Sequence, residues 1–224
     1  MLAPFNFKKR REEYIEKVIF FVYKYLCKWR NSKKWSNKES ERILNSDLVK
    51  YLMKHARTNE MEVNFFSEEP QGKVHAIDLV ACHYDKNVES YSDAIMVFEC
   101  KRLTNDISGK RKYEYVTGHK DIKGGIQRFK LEVHGKDYDI VGMIGYIQTG
   151  VCSEWQKNIN KYIDTICGNP DEDGLHWNKN ECLNIIEYDE KKGKTRSKSL
   201  HPRLTKSDIT IHHLWINMQD NELD

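Results

Sequence analysis

Asp78 is followed twenty-one residues later by Glu99-Cys100-Lys101, and each acid interrupts an apolar, β-branched run: Ala76-Ile77-Asp78-Leu79-Val80 and Ala94-Ile95-Met96-Val97-Phe98-Glu99-Cys100-Lys101. Burying a carboxylate in such a run is costly unless a cation faces it. Alternate residues of a strand share a face, so Glu99 and Lys101 project to one side and Cys100 to the other, its carbonyl still within reach. Two acids and one ammonium at the ends of adjacent strands form an oxygen-rich site suited to a hard divalent ion. Magnesium takes one or two protein carboxylates and keeps waters for substrate phosphate. The pattern therefore points to metal-dependent cleavage of a phosphodiester.

The elements that must position these residues are readable from periodicity. Ile15, Val18, Val22, Leu26 and Trp29 repeat at helical spacing and predict a helix from about Lys9 to Arg30, with a basic outer face. A second helix opens with Ser36-Asn37-Lys38-Glu39, which has capping-box form, and runs to about Arg57 on a stripe of Leu44, Leu48, Tyr51, Leu52 and Ala56. Glu41 falls in the middle of that stripe. Either it serves the helix start with its head in water, or it points at the metal site. Three strands follow, Val63–Ser67, Val74–His83 and Asp93–Lys101, with connections short enough for an antiparallel meander. The polar stretch 104–118 reads as a loop, and its Lys110, Arg111, Lys112, Tyr113 and Tyr115 combine cations with stacking surfaces suited to nucleic acid. A helix from about Asp121 to His134 leads to a buried strand, Ile140–Ile147, whose Gly142 and Gly145 imply close approach of a neighbour. An amphipathic helix over 154–166 and two strands, Cys182–Tyr188 and Asp208–Ile216, flanking a basic loop at 191–198, complete the chain. The class is mixed α/β, and the strand–helix–strand crossover predicts a parallel pair.

Composition narrows the function. At 224 residues the chain is long enough for one substantial core. No run approaches the 18 apolar residues of a membrane span, and no cleavable leader is evident, so the reading is a soluble cytoplasmic protein. Six scattered cysteines suit free thiols in a reducing compartment. A zinc site from Cys152, Cys167, His176 and Cys182 has no structural-zinc spacing. The net charge of +3 conceals segregation: residues 1–60 carry 15 Lys/Arg against 7 Asp/Glu, 61–100 carry 2 against 8, and 101–135 carry 9 against 4. An acidic strand region between basic flanks is what a phosphate-binding cleft needs, although solvated helix faces give the same pattern. No Gly-rich phosphate loop, Ser/His/Asp order or dinucleotide fingerprint is visible. His212 and His213 are strand neighbours on opposite faces, and the five tryptophans read as core.

Glu41, Asp78 and Glu99-Cys100-Lys101, in that element order, resemble the PD-(D/E)XK, or restriction-endonuclease-like, nuclease superfamily. The match covers about residues 36–150. Phe98-Glu99-Cys100-Lys101-Arg102-Leu103, Gly125-Ile126-Gln127-Arg128-Phe129 and Gly142-Met143-Ile144-Gly145-Tyr146 are similar to a bacterial group linked to restriction or phage defence. Ile77 stands where the name-giving pattern has Pro, a departure that the superfamily tolerates. The resemblance implies an α/β fold with a restriction-endonuclease-like core (helix, three-strand meander, helix, strand) in a single nuclease domain, 1–224. An N-terminal helical extension (1–35) precedes the catalytic core (36–150), and a helix–strand–strand extension (151–224) follows it. It implies Mg²⁺ on Asp78, Glu99 and the Cys100 carbonyl, with Mn²⁺ able to substitute. Lys101 would orient or help deprotonate the attacking water, and Glu41 would complete the shell. Gln127 and Arg128 would contact phosphate or water, joining Lys110, Arg111 and Lys112 along the nucleic acid. The expected activity is Mg²⁺-dependent endonucleolytic hydrolysis, DNA favoured over RNA, by a homodimer or with a partner defence protein and without membrane. The alternatives are a non-catalytic nucleic-acid-binding or assembly subunit of a defence complex, and an interaction module docking through its extensions.

Overall fold

The computed structural model describes residues 7–59, 61–71, 75–85, 90–105, 113–118, 123–168 and 174–219. Helices α1 (Phe7–Arg30) and α2 (Glu41–Thr58) precede strands β1 (Val63–Gln71), β2 (His75–Asp85) and β3 (Ser90–Leu103). Then come α3 (Gly125–Lys130), β4 (Ile140–Ile147), α4 (Cys152–Thr165), a single 3₁₀ turn (Lys179–Glu181), β5 (Asn184–Asp189), β6 (Lys194–His201) and β7 (Ile209–Asn217). All the strands join one seven-stranded sheet in the order β1-β2-β3-β4-β7-β6-β5. The outer ladders are antiparallel, and β3–β4 and β4–β7 are parallel. The mixed α/β class, the meander and the parallel crossover are as the sequence predicts.

Helices cover both faces. The apolar stripes of α1 and α2 pack with Phe65, Leu79, Phe98, Cys100 and Tyr146 on one face, and α4 with Val97, Met143, Ile211 and Trp215 on the other. Buried on both sides, β4 reads as a continuous apolar run rather than an alternating one. The expected close approach in β4 is real. A Cβ on Gly142 would lie 2.1 Å from the ring of Phe98, its partner on β3, and one on Gly145 would lie 2.4 Å from the indole of Trp215, its partner on β7.

Several boundaries differ from expectation. The N-cap of α2 is Ser40, whose hydroxyl accepts the Ile43 N–H, rather than Ser36. Glu41 is therefore the first helical residue, not a residue one turn in. β1 runs through Glu68-Glu69-Pro70 instead of turning there, because an edge strand tolerates proline. The helix expected over 121–134 is only the six residues of α3. The basic loop at 191–198 is largely strand β6. Its Thr195, Ser197, Ser199 and His201 alternate inward while Lys194 lies over the Tyr23 ring and Arg196 pairs with Glu16. Of these, Ser199 and His201 are buried with hydrogen-bond partners from β7 and the 3₁₀ turn, which hydropathy does not reveal.

Candidate active site at the splay of two strands

The β2–β3 ladder ends at Leu79↔Phe98. Beyond it β2 continues along β1 and β3 along β4, so the two strands diverge where Asp78 faces Glu99. The Asp78 side chain bridges the gap: its Oδ2 accepts the Cys100 N–H at 2.8 Å, taking the place of a ladder bond. Glu41 closes the site from the α2 N-terminus. Its Oε1 is 3.1 Å from the Lys101 ammonium and its Oε2 accepts the Arg102 N–H at 3.1 Å. The Glu39 carbonyl, just ahead of the helix, accepts from Gln148 at 2.8 Å and from Arg102 at 3.4 Å, fixing that helix end on the sheet.

Lys101 is the hub. Its Nζ lies 2.9 Å from Glu99 Oε1, 3.1 Å from Glu41 Oε1, 4.0 Å from Asp78 Oδ2 and 2.8 Å from the Cys100 carbonyl. Glu99 is fully buried. Arg128 Nη1 reaches its Oε1 at 2.6 Å and His134 Nδ1 its Oε2 at 2.8 Å. Three carboxylates thus meet two permanent cations and one imidazole.

The electrostatics follow from that imbalance. Burial pushes the Asp78 carboxyl up, the charges of Glu99 and Glu41 add to it, and Lys101 and the Cys100 N–H only partly oppose them, leaving it at about 7. Burial would raise Glu99 too, but Lys101, His134 and Arg128 outweigh it and hold Glu99 at about 2. Burial opposes the charged form of Lys101, yet the three acids prevail and lift it above the ordinary lysine value. In this arrangement Lys101 is a charged donor rather than a base.

Asp78, Glu99 and Lys101 thus come together, and Glu41, for which the sequence left two roles open, joins them; Arg128, expected on phosphate or water, is instead committed to Glu99 and to the Lys123 carbonyl. Gln127, expected to contact phosphate or water, faces inward. It is buried, and its Oε1 accepts the Gly118 and Gly124 N–H groups, holding the turn ahead of α3. Tyr115, expected as a stacking surface, is also buried, bonded to His213 and Trp215. Lys110, Arg111 and Lys112 lie outside the described residues. His134 escaped the sequence reading because nothing local marks it: the strand it serves is 35 positions away.

Among the described residues no group of three or more His, Cys, Asp or Glu side chains is arranged as a metal cage; the ammonium of Lys101 sits among the acids instead. The donor chemistry nonetheless fits a hard divalent ion. With its three carboxylates ionised, the cluster carries one negative charge more than its permanent cations, and Asp78 Oδ1 accepts no hydrogen bond among the described residues. No helix among the described residues is long and apolar enough to cross a membrane. Comparison with family models, with curated proteins and with solved structures returned no match.

Proposed function

We propose that this chain is a metal-dependent endonuclease that hydrolyses phosphodiester bonds in DNA, built on a restriction-endonuclease-like core and acting in restriction or anti-phage defence. The observation that carries the reading is the convergence of Glu41, Asp78, Glu99 and Lys101 at the splay of β2 and β3. The order α2, β1–β3, α3, β4 within residues 36–150 supports it. Asp78, Glu99 and the Cys100 carbonyl would hold Mg²⁺ or Mn²⁺, and the bound ion would supply Lewis-acid charge on a phosphoryl oxygen and an activated water. Lys101, kept protonated by the acids around it, steadies charge growing on the phosphate. Glu41 and Arg128 hold Lys101 and Glu99 in register for that task.

Incubation of the purified chain with supercoiled plasmid, linear DNA and RNA, in Mg²⁺, Mn²⁺ or EDTA, tests the assignment. Cleavage that needs the metal and is abolished by Asp78→Ala or Lys101→Ala is expected. Metal-independent cleavage, or full activity in both variants, would refute it. The complete engagement of Glu99 by Lys101, Arg128 and His134 favours one other reading, a nucleic-acid-binding subunit in which the cluster is structural. Intact nucleic acid throughout, with salt-sensitive binding retained, would select that reading.

A further inference from the structure

A second buried polar chain crosses the other half of the sheet. The indole N–H of Trp215 donates to Tyr115 Oη at 2.8 Å, and that hydroxyl is 2.8 Å from His213 Nδ1. His213 Nε2 is 2.7 Å from Ser199 Oγ, which is 2.6 Å from His201 Nε2. His201 Nδ1 is 2.7 Å from Glu181 Oε2, which also receives the Lys130 ammonium; Lys130 donates besides to the His176 carbonyl at 2.8 Å. All seven side chains, from Trp215 to Lys130, are buried.

The two ends give this chain a direction. An indole N–H only donates, and an ionised carboxylate only accepts. Working inward, the Tyr115 hydroxyl donates to His213 Nδ1, His213 Nε2–H to Ser199, the Ser199 hydroxyl to His201 Nε2, and His201 Nδ1–H to Glu181. With both imidazoles neutral, every hydrogen is used once and the two rings take opposite tautomers. A proton added to either ring leaves a buried hydroxyl, Tyr115 or Ser199, without an acceptor.

The chain grips both ends of α3. Tyr115 belongs to the turn whose Glu114, Tyr115 and Val116 carbonyls accept the N–H groups of Gly125, Ile126 and Gln127, and Lys130 is the last residue of the helix. Between these points α3 carries Arg128 to Glu99. We propose that Ser199, His201 and His213 are positioning residues: a one-way relay through two neutral imidazoles that clamps α3, and with it Arg128, against Glu99, and that opens when either imidazole is protonated. The link to catalysis rests on the nuclease reading above; the relay itself does not.

The surroundings agree. Burial depresses His201, with Lys130 adding to it and Glu181 and Asp208 opposing, and burial depresses His213, with His201 and His212 adding to it. A ring with a depressed folded value contributes stability above its ordinary value of about 6.5, and that contribution is lost as pH falls through the folded value. Glu181, His201 and Ser199 also stand in the order of a hydrolase triad. Ser199, however, is 2% exposed with an imidazole on each side, which leaves no approach for a substrate.

The test is long-range ¹H–¹⁵N spectroscopy of the ¹⁵N-histidine-labelled full chain in EDTA between pH 5 and 8, with Ser199→Ala as the perturbation. At pH 7.5 the expected result is neutral His201 protonated on Nδ1 and neutral His213 protonated on Nε2, and in Ser199→Ala both rings titrating at higher pH. A charged ring at pH 7.5, the same tautomer in both, or labelling of Ser199 by a fluorophosphonate overturns the relay. If Ser199→Ala does not fold, the wild-type tautomers decide. In the plasmid assay Ser199→Ala is expected to lose about tenfold more activity than wild type between pH 8 and pH 6; an unchanged profile overturns the positioning role. Expected tautomers in a protein that cleaves nothing would retire the nuclease reading and leave the relay standing.

Discussion

Asp78→Asn is expected to stabilise the protein in EDTA and, on the proposed nuclease reading, to abolish metal-dependent cleavage. In the fold the Asp78 carboxyl sits at about 7 against an ordinary 3.8. The folded state therefore holds a proton that the unfolded state has released, and wild-type stability falls as pH rises from 3.8 through 7, then levels off. At about 1.4 kcal/mol per pH unit the full penalty is roughly 4 kcal/mol. The side chain is 22% exposed, so solvent reduces the expected gain to about 2 kcal/mol. Asparagine keeps an oxygen for the Cys100 N–H and does not disturb the contacts of Lys101 with Glu41 and Glu99. Thermal unfolding in EDTA at pH 4 and pH 8 measures the effect. A rise of about 4–8 °C at pH 8 and little change at pH 4 is expected for a chain of this size. A loss of 1 kcal/mol or more at pH 8 would show that Asp78 is a stabilising partner of Lys101, and the argument for a charge-frustrated site would fail.

Glu99→Gln should act in the opposite sense. Its carboxyl is held at about 2 against 4.5, which favours the charged fold by roughly 3 kcal/mol at pH 7, a contribution present above 4.5 and lost as pH falls towards 2. Urea titrations in EDTA should show a deficit of that size at pH 7 that narrows by pH 3; equal stability at both pH values contradicts it. Gly142→Ala should destabilise by about 2 kcal/mol or more, because the new methyl meets the Phe98 ring inside van der Waals contact. Wild-type denaturation midpoints in that variant would mean that the ring gives way.

The convergence of Asp78, Glu99 and Lys101 is legible in the sequence because all three belong to two neighbouring strands. An acid in the middle of an apolar run and an E-x-K step state both the burial and the shared face of Glu99 and Lys101. β4 was legible for a similar reason, its run being apolar throughout. What escaped detection depends on long-range pairing. Ser40 and Ser36 are equally good caps by type, and only the docking of Glu39 and Glu41 on β3 and Gln148 selects Ser40. β6 looks like a basic loop because its inward residues are Thr, Ser and His, and the partners that bury Ser199 and His201 come from β7 and the 3₁₀ turn. His134, Glu181 and Ser199 carry no local mark at all. Gln127, which the resemblance places on phosphate or water, is buried instead, because its amide oxygen is taken by two glycine N–H groups ahead of α3.

The opposite shifts of Asp78 and Glu99 say more than either alone. The two face each other across one gap, yet Glu99 takes nearly all the compensating charge: Lys101 at 2.9 Å, Arg128 at 2.6 Å and His134 at 2.8 Å. Asp78 has a single backbone N–H and a distant ammonium. A cluster serving stability alone would be balanced, since an uncompensated buried charge is among the costliest features a fold can carry. Here the surplus falls on the carboxylate at the splay, where the β2–β3 ladder ends. Opposed titration shifts of this kind are common to catalytic sites and to structural ion-pair networks, so the two are separated by experiment. The sign of the Asp78→Asn effect, more than its size, therefore separates a charge-frustrated site from a salt-bridge knot.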